Sequence, residues 1–328
     1  MEINIGYPIL LGFNEKGMMK NSIVIFCGIF VCIFLCACQS TEKKLLEPKA
    51  KHVILIGIDG WGAYSMEKAK IPNIRFLMDN GTYTLKKRSV LPSSSAPNWA
   101  SMYMGAGPEL HGYCEWGSQV PDLPSRVLNE DNIFPTVFSV LRKADPQAEI
   151  GNICEWDGIR YLVDTLALNY DKHVFEVKED STATVRYAVD YIKNRKPTLV
   201  NIVYDALDHV GHVAGHDTPS YYAKLEELDK YVGEIVTAIK EAGIWDESIV
   251  IVTADHGGIK YNHGGRTMQE METPFIMCGS HVKSNYELQE SMMQFDIAVT
   301  KLLQKSEMRK DIVIELSYRG FSCTSDYS

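Results

Sequence analysis

Three short segments of this chain combine acidic residues with histidines, in a pattern that could bind metal ions. The segments are "ILIGIDG", "DALDHVGHVAGH" and "TADHGGIKYNHGG", and they hold five of the nine histidines. Their acids and imidazoles are Asp59, Asp205, Asp208, His209, His212, His216, Asp255, His256 and His263. Carboxylate and imidazole groups are the ligands that borderline cations such as zinc take in proteins. The clustering therefore predicts a metal centre.

Each segment taken alone also has a simpler interpretation. The first is typical of a capped turn at a strand end. In the second, Asp208 and His212 have the spacing of a surface helix pair, worth a fraction of a kcal/mol. The third is typical of a solvated turn. The occurrence of all three favours metal binding, with His209 and His216 expected behind the ligands or on the surface.

A run of three serines, Ser93 to Ser95, precedes "APNWASMYMG" and offers three hydroxyl groups that could attack a substrate. Pro97 is a favoured first residue of a helix, so we expect a short helix that ends at Gly105. Ser95 would then lie at the helix N-terminus, where free N–H groups and the helix dipole favour a phosphate group. The alternative is that Ser95 serves only as the N-cap, a role worth about 1 kcal/mol.

The acids and histidines follow apolar runs that are typical of strands covered on both faces in a parallel sheet. Three runs are near-continuous, His52–Gly60, Thr198–Ala206 and Ser248–Gly258, and two are weaker, Ala148–Trp156 and Pro274–Gly279. Helical periodicity lies between and after them, at Ile71–Gly81, Asn132–Ala144, Thr182–Asn194, Ser220–Gly243 and Ser291–Lys305. This alternation predicts an α/β fold with ligands at the carboxyl ends of the strands. Residues 117–131 have turn composition and predict a loop over the site.

The first residues predict a targeting segment rather than part of the fold. Lys20 precedes an apolar run, Ser22–Ala37, with small residues near its end, which is the build of a secretory signal. The end of this run resembles a bacterial lipobox, so we expect an exported lipoprotein in the periplasm or at the outer membrane or cell surface, anchored at a lipidated Cys38. Residues 1–37 would be the signal, with Met18 or Met19 as alternative starts. An uncleaved anchor is the other interpretation.

The remaining chain is expected to form a polar tether, residues 38–51, and a single catalytic domain, residues 52–328. Its formal net charge of −9, without a basic stripe, excludes a nucleic-acid-binding protein, although nucleotide substrates stay allowed. The domain holds Cys114, Cys154, Cys278 and Cys323, none in a C-x-x-C pair, so a structural zinc ribbon is not expected. The sequence allows these cysteines to form disulfide bonds or to be buried as free thiols.

The motifs "IGIDG", "SSSAPN", "DHVGH", "DHGG" and "HGG" occur in the order found in the alkaline phosphatase superfamily. The chain most resembles the nucleotide pyrophosphatase/phosphodiesterase branch, from about His52 to Gly279. The resemblance implies a three-layer α/β/α sandwich around a mainly parallel central sheet, as in alkaline phosphatase. It also implies two zinc ions, which could stabilise the attacking and leaving oxygens of an in-line displacement. The implied ligands are Asp208, His212 and His263 for one ion and Asp59, Asp255, His256 and Ser95 for the other.

The resemblance also selects a nucleophile. In the branch a threonine attacks two residues before Pro-Asn, and that register here selects Ser95 over Ser93 and Ser94. Asn98 would donate its amide to a phosphoryl oxygen. The serine itself and Trp99, which follows Asn98, depart from the usual pattern of the branch. We expect Trp99 to pack in the core rather than to stack on a substrate ring.

Together these features predict a two-zinc phosphoesterase that acts on small-molecule phosphate esters through a phospho-Ser95 intermediate. Diesters are favoured, because no Lys or Arg can be placed at the extra oxygens of a monoester. Candidates for substrate contact are Trp116, Glu155, Trp156, Arg160 and Tyr204. The alternatives are a phosphomonoesterase, a sulfatase or phosphoglycerate mutase-like enzyme, and a non-catalytic surface lipoprotein. Against a sulfatase, the segment after the three serines lacks the arginine that a sulfatase would need. The resemblance to the mutase rests on "ETPFI" at Glu272–Ile276. The oligomeric state is not predicted.

Overall fold

The computed structural model describes residues 50–174, 180–289 and 291–297. The predicted signal, most of the predicted tether, Cys323 and most of the predicted C-terminal helix lie outside these residues. Within them, no helix combines the length and the hydropathy that a membrane span needs. The lipobox and Cys38 therefore stay sequence-based predictions.

One eight-stranded sheet forms the centre of the described part of the chain, in the order β4-β3-β5-β1-β6-β7-β2-β8. The strands are β1 (His52–Ile58), β2 (Gly81–Arg88), β3 (Ile150–Cys154), β4 (Tyr170–His173), β5 (Leu199–Tyr204), β6 (Ser248–Thr253), β7 (Glu272–Gly279) and β8 (Tyr286–Glu287). The first five strands in this order are parallel to one another. Strand β7 is antiparallel to β6 and to β2, and β8 is parallel to β2. The predicted mainly parallel sheet is confirmed.

Eight α-helices surround this sheet within the described residues. They are α1 (Pro72–Asp79), α2 (Ser95–Met104), α3 (Pro108–His111), α4 (Val137–Ala144), α5 (Ala183–Arg195), α6 (Ala206–Ala214), α7 (Pro219–Glu241) and α8 (Met268–Met271). Local signals set their ends. In α7, the Thr218 side chain accepts from the Tyr221 N–H and Pro219 stands at the first position. Gly243, at φ +70°, follows its end.

Side chains of successive strand residues point to opposite faces of the sheet, and each face has its own core. Ile54, Ile56 and Ile58 pack with residues of α1, α5 and α7 on one face. Val53 and Leu55 pack with residues of α2 and α4 on the other. This arrangement confirms the three-layer α/β/α sandwich.

The five apolar runs predicted as strands form β1, β5, β6, β3 and β7, and four of the predicted helices form α1, α4, α5 and α7. Of the predicted helix Ser291–Lys305, the described part contains a short 3-10 helix, Gln294–Ile297. Strands β2, β4 and β8 were not predicted, because β2 ends in three basic residues and β4 and β8 are only 4 and 2 residues long. The mutase-like segment "ETPFI" forms the start of β7.

Strands β5, β1 and β6 are adjacent in the centre of the sheet and parallel. Their carboxyl ends therefore lie side by side, and the three predicted metal-binding segments begin there. This edge of the sheet is the place where sequence-distant acids can meet. The Gly60 N–H, for example, donates to Asp255 Oδ1 at 3.2 Å.

Candidate active site

The carboxyl ends of β1 and β6 place a group of oxygens around one imidazole, which we call the deep cluster: Asp59, Ser95, Asp255 and His256. The candidate ligand atoms of Asp59, Asp255 and His256 all lie within 4.8 Å of one another. His256 Nε2 is 3.2 Å from Ser95 Oγ, 3.2 Å from Asp255 Oδ2 and 3.5 Å from Asp59 Oδ1. All four residues are buried. The structure thus brings Ser95 to the acid–histidine group that the sequence predicted.

The His256 ring is held in a single orientation. Its Nδ1 lies 2.8 Å from the Gly257 carbonyl oxygen, which can only accept, so Nδ1 carries the proton. Nε2 then presents its lone pair to the oxygens of Asp59, Ser95 and Asp255. Burial lowers the pKa of His256 to about 3, which keeps the ring neutral. A neutral imidazole with a free lone pair is the form that binds a metal.

The two carboxyl groups of the deep cluster lack compensating charge. Burial and the nearby charge of Asp255 raise the pKa of Asp59 well above its ordinary value. Burial and Asp208 do the same for the pKa of Asp255. Among the described residues, Asp59 Oδ1 and Asp255 Oδ2 have no hydrogen-bond partner. Buried carboxylate oxygens facing an imidazole lone pair fit a bound cation, which would satisfy all three.

A second group, the shallow cluster, consists of Asp208, His212 and His263, whose candidate ligand atoms also lie within 4.8 Å of one another. Helix α6 supplies Asp208 and His212 one turn apart, with His212 Nε2 3.1 Å from Asp208 Oδ2. His263 comes from the loop after β6, with Nε2 3.8 Å from the same oxygen. The His256 and His263 rings stack at 3.9 Å between centroids, so the two clusters adjoin.

The shallow cluster balances its own charge. Burial opposes ionisation of Asp208, but the hydrogen bond from His212 and the neighbouring imidazoles hold its pKa below the ordinary value. The same hydrogen bond raises the pKa of His212 to about 9. The His212 ring is fixed from behind, because its Nδ1 lies 2.9 Å from the Tyr261 carbonyl oxygen. Asp208 Oδ1 has no hydrogen-bond partner among the described residues and fits a cation.

The other acid and histidines of the second segment fall into three positions. His216 is buried, with Nε2 3.8 Å from Asp208 Oδ1, behind the shallow cluster. His209 is exposed and lines a separate groove between α6 and α7. Asp205 lies at the N-terminus of α6, and burial together with Asp208 raises its pKa.

The serine loop before α2 is closed by Asn98. Its Oδ1 accepts from the Val90 N–H at 2.7 Å, and its Nδ2 donates to the Ser94 and Pro92 carbonyls at 2.9 and 3.1 Å. Helix α2 begins at Ser95, with Ser94 as N-cap, rather than at Pro97 as predicted. Asn98 uses its amide to hold the loop that presents Ser95, and its contact with a phosphoryl oxygen stays a prediction.

Trp99 supports the deep cluster in a way that the sequence did not reveal. It is fully buried, as expected, and its indole Nε1 donates to Asp59 Oδ2 at 2.9 Å. A Cβ on Gly57 would lie 2.3 Å from the indole ring, so this strand position must be glycine for Trp99 to fit. The glycine inside the apolar run of β1 was the available signal for a close approach.

Glu155, a candidate for substrate contact, supports the helix that carries part of the shallow cluster. Its Oε2 accepts from the Asp205 and Ala206 N–H groups at 2.8 and 3.2 Å, at the start of α6. Its Oε1 accepts from Thr184 Oγ1 at 2.8 Å. A carboxylate at this position satisfies free N–H groups of the helix that carries Asp208.

The remaining candidates for substrate contact differ in their burial and in their contacts. Tyr204 is fully buried, Trp156 packs against the core beside α2, and Arg160 pairs with Asp157 at 3.2 Å. Trp116 lines a pocket of about 390 Å³ that opens beside the shallow cluster. The predicted loop, residues 117–131, follows it and contains neither helix nor strand.

The described cysteines are free thiols: Cys114 is half-buried, and Cys154 and Cys278 are buried. Cys154 Sγ, on β3, lies 3.4 Å from His173 Nδ1 on the edge strand β4. Burial raises the pKa of the Cys154 thiol, so it stays protonated. These thiols take no part in either cluster.

Comparison with known proteins gives three findings. A family model described as type I phosphodiesterase / nucleotide pyrophosphatase matches residues 53–133 and 141–311. Human ectonucleotide pyrophosphatase/phosphodiesterase family member 5 is 22% identical over 240 residues, 70% of this chain and 49% of that protein. Bovine bis(5'-adenosyl)-triphosphatase ENPP4 is 22% identical over 237 residues, 67% of this chain and 49% of that protein. The chain thus spans about half the length of these relatives.

A solved structure shares the fold. Inactive murine ectonucleotide pyrophosphatase/phosphodiesterase 5, in complex with AMP, superposes with a TM-score of 0.63 at 15% identity. The superposition covers 77% of this chain and 95% of that one. The sandwich and its central sheet are therefore common to both proteins.

Proposed function

Because the chain belongs to the type I phosphodiesterase / nucleotide pyrophosphatase family, we propose that it is a metal-dependent hydrolase of small-molecule phosphodiesters. The observation that carries the proposal is the position of Ser95 Oγ, 3.2 Å from His256 Nε2 where two acid–histidine clusters adjoin. The relatives are a nucleotide pyrophosphatase/phosphodiesterase and a bis(5'-adenosyl)-triphosphatase, and their names support hydrolysis of phosphodiester or phosphoanhydride bonds.

Two zinc ions are the proposed cofactors. The unpaired buried oxygens of Asp59, Asp208 and Asp255 fit them, as does the lone pair of His256. Asp59, Ser95, Asp255 and His256 would hold one ion, and Asp208, His212 and His263 the other. Bound there, the ions would lower the pKa of a coordinated hydroxyl group and neutralise charge on the reacting phosphoryl group.

The chain's own residues would act in two steps. The Ser95 oxygen forms a bond to phosphorus as the bond to the first alcohol breaks, and that alcohol leaves with a proton. Water then attacks the phospho-serine, which releases a phosphomonoester and restores the Ser95 hydroxyl. Ser95 stands at the first position of α2, where the positive end of the helix dipole favours the phosphoryl oxygens.

The pocket favours diesters over monoesters. Its eight lining residues include no lysine or arginine to bind the second negative charge of a monoester. A phosphomonoesterase is the second candidate, and it shares every other feature of the site.

We also propose that the protein is an exported lipoprotein anchored at Cys38. The observation that supports this proposal is the lipobox-like sequence before Cys38. Fractionation of cells that express Cys38→Ser tests this, since the variant should leave the membrane fraction.

The main test combines metal analysis with turnover of bis-p-nitrophenyl phosphate and p-nitrophenyl phosphate. We expect about two zinc ions per chain, and faster cleavage of the diester. Ser95→Ala should lower turnover by a factor on the order of 10³ or more while zinc stays bound. Ser93→Ala is the matched control, because Ser93 Oγ donates to the Gly265 carbonyl and belongs to neither cluster. A protein without metal that cleaves neither ester would refute the proposal. Preference for the monoester would overturn only the choice of diesters.

A further inference from the structure

His216 is a buried histidine that the proposed reaction does not use. Its side chain is fully buried, and neither ring nitrogen has a hydrogen-bond partner among the described residues. Burial lowers its pKa to about 4, so the ring is neutral and carries one N–H group. Most buried polar groups in proteins are paired, because an unpaired one costs free energy. His216 therefore lowers the stability of the fold unless a partner is supplied.

Two glycines of the acid–histidine segments make the space that this ring occupies. A Cβ on Gly211, within "DHVGH", would lie 2.4 Å from the His216 ring, and one on Gly258, within "DHGG", would lie 2.3 Å from it. Neither glycine has a positive φ, so the space and not the backbone conformation requires glycine there. The His216 N–H also donates to the Lys260 carbonyl at 2.6 Å. The ring is thus held between α6 and the loop after β6, the two segments that carry the shallow cluster.

The ring faces the Asp208 carboxylate from behind the shallow cluster. His212 Nε2 and His263 Nε2 approach Asp208 Oδ2, at 3.1 and 3.8 Å. His216 Nε2 approaches the other oxygen, Oδ1, at 3.8 Å, and Oδ1 has no hydrogen-bond partner among the described residues. A distance of 3.8 Å is about 1 Å longer than a hydrogen bond, so the structure brings the two unpaired groups close without joining them.

The proposed zinc site would change the partners of Asp208. The Nε2 lone pairs of His212 and His263 would be taken by the ion, so neither nitrogen could donate a proton to the carboxylate. Of the three imidazoles that approach Asp208 in the described part of the chain, His216 is then the one left with a proton to donate. A carboxylate oxygen has two lone pairs, so Oδ1 can accept this hydrogen bond and still face a cation.

We propose that His216 is a positioning residue, whose Nε2–H group donates to Asp208 Oδ1 and fixes that carboxylate as a zinc ligand. This inference rests on the proposed function and adds a residue that touches neither the metal nor the substrate. The deep cluster holds its own carboxylate in the same way, since the Trp99 indole N–H donates to Asp59 Oδ2. A hydrogen bond from such an outer residue raises metal affinity, because it orients the ligand.

Zinc titration of metal-free protein tests this inference with two substitutions of similar length. His216→Gln keeps an N–H donor at the end of the side chain, whereas His216→Met has none. We expect His216→Met to weaken one of the two zinc affinities by about 10- to 100-fold and to leave the other unchanged. His216→Gln should recover most of that loss. His209→Met is the matched control, because His209 is exposed on the same helix, and it should change neither affinity.

Two results of the titration would overturn the inference while leaving the proposed function intact. Equal weakening by His216→Gln and His216→Met would show that the imidazole only fills space, and unchanged affinities in both would show that it has no role. NMR of the zinc-loaded, unmodified protein with isotope-labelled histidine decides the question even if a variant fails to fold. The His216 proton should lie on Nε2, and a proton on Nδ1 or a metal-bound ring would contradict the inference. A protein that binds no zinc would instead refute the proposed cofactors, and this inference with them.

Discussion

The deep and shallow clusters use the same kinds of side chain but differ in their access to water. In the deep cluster the side chains of Asp59, Asp255 and His256 are 0–1% exposed. In the shallow cluster His212 is 40% exposed, while Asp208 is 9% exposed. Water can therefore reach one ligand of the shallow cluster and none of the three in the deep one.

This difference decides how each cluster handles charge. The shallow carboxylate is neutralised by its own neighbour, since His212 binds a proton with a pKa of about 9. The deep carboxylates have no protonated partner, because burial keeps His256 neutral and raises the pKa of both acids. A metal at the shallow site would compete with the proton on His212, whereas at the deep site it would stabilise the ionised form of two carboxyl groups that burial disfavours. If zinc binds as proposed, it should therefore change the ionisation of the deep cluster more than that of the shallow cluster.

The largest expected effect follows from removing one histidine from each cluster. His256→Ala should lower turnover by a factor on the order of 10³ or more and leave about one zinc ion per chain. His212→Ala should lower turnover by about 10- to 100-fold and recover partly in excess zinc, because water can replace a half-exposed ligand. Metal analysis and turnover of bis-p-nitrophenyl phosphate with added zinc measure both. Equal losses without recovery in either variant would contradict the comparison.

The next effect concerns the residues that hold the ligands. Trp99→Phe keeps a ring against Gly57 but removes the hydrogen bond to Asp59, so we expect about 10- to 100-fold weaker zinc binding at the deep cluster. Glu155→Gln keeps the size of the side chain but removes the charge at the start of α6, and should weaken the shallow cluster by about tenfold. Zinc titration of metal-free protein measures both affinities.

These two variants are each other's control. Trp99→Phe should leave the zinc affinity of the shallow cluster unchanged, and Glu155→Gln should leave that of the deep cluster unchanged. If both variants weakened zinc binding at both clusters alike, the two clusters would act as one site. The separate roles given to Trp99 and Glu155 would then be refuted.

The smallest effect concerns Lys87, a fully buried lysine behind the deep cluster. Its Nζ donates to the Ala254 carbonyl at 2.8 Å and to Gln294 Oε1. Burial lowers its pKa from 10.5 to about 7, a difference on the order of 5 kcal/mol. The unfolded chain therefore binds this proton more tightly than the folded chain, and the resulting loss of stability is full below pH 7 and disappears as the pH rises to 10.5.

Lys87→Met should thus raise the free energy of unfolding by about 2 kcal/mol at low pH, after the lost hydrogen bonds are subtracted. The gain should shrink between pH 7 and 10.5, the window set by the two pKa values. Urea unfolding at pH values below and inside this window measures it. Lys86→Met, on the exposed neighbour in β2, should change stability by less than about 0.5 kcal/mol at either pH. A gain independent of pH would show that the pKa of Lys87 is the same in the folded and the unfolded chain, against the effect expected from burial.

Much of the site was predictable because its acids, histidines and serines are residue types that bind metals or attack substrates. The three acid–histidine segments follow apolar runs that form β1, β5 and β6. Residues that follow adjacent parallel strands lie at the same edge of the sheet, so these segments were expected to meet. Ser95 was selected from three serines by the Pro-Asn register. The start of α2 at Ser95 was missed, because Asn98 closes the loop through carbonyls that periodicity does not report.

The supporting residues could not be predicted for a different reason. Trp99 and Asp59 are 40 residues apart, and Glu155 and Asp205 are 50 apart. A hydrogen bond over such a distance exists only when the strand order has been set. Lys87 was hidden as well, because a lysine near a charged strand end is typical of an exposed side chain.

The sequence by itself determined which groups are present and at which strand ends they leave the sheet, because hydrophobic period and residue type are local properties. The tertiary structure alone decided how deep each group lies and which nitrogen of each histidine is free. It also placed the Trp116 carbonyl against the Ala96 N–H, next to Ser95. Burial and hydrogen-bond partners set the protonation of these groups, and both depend on which distant segments pack together.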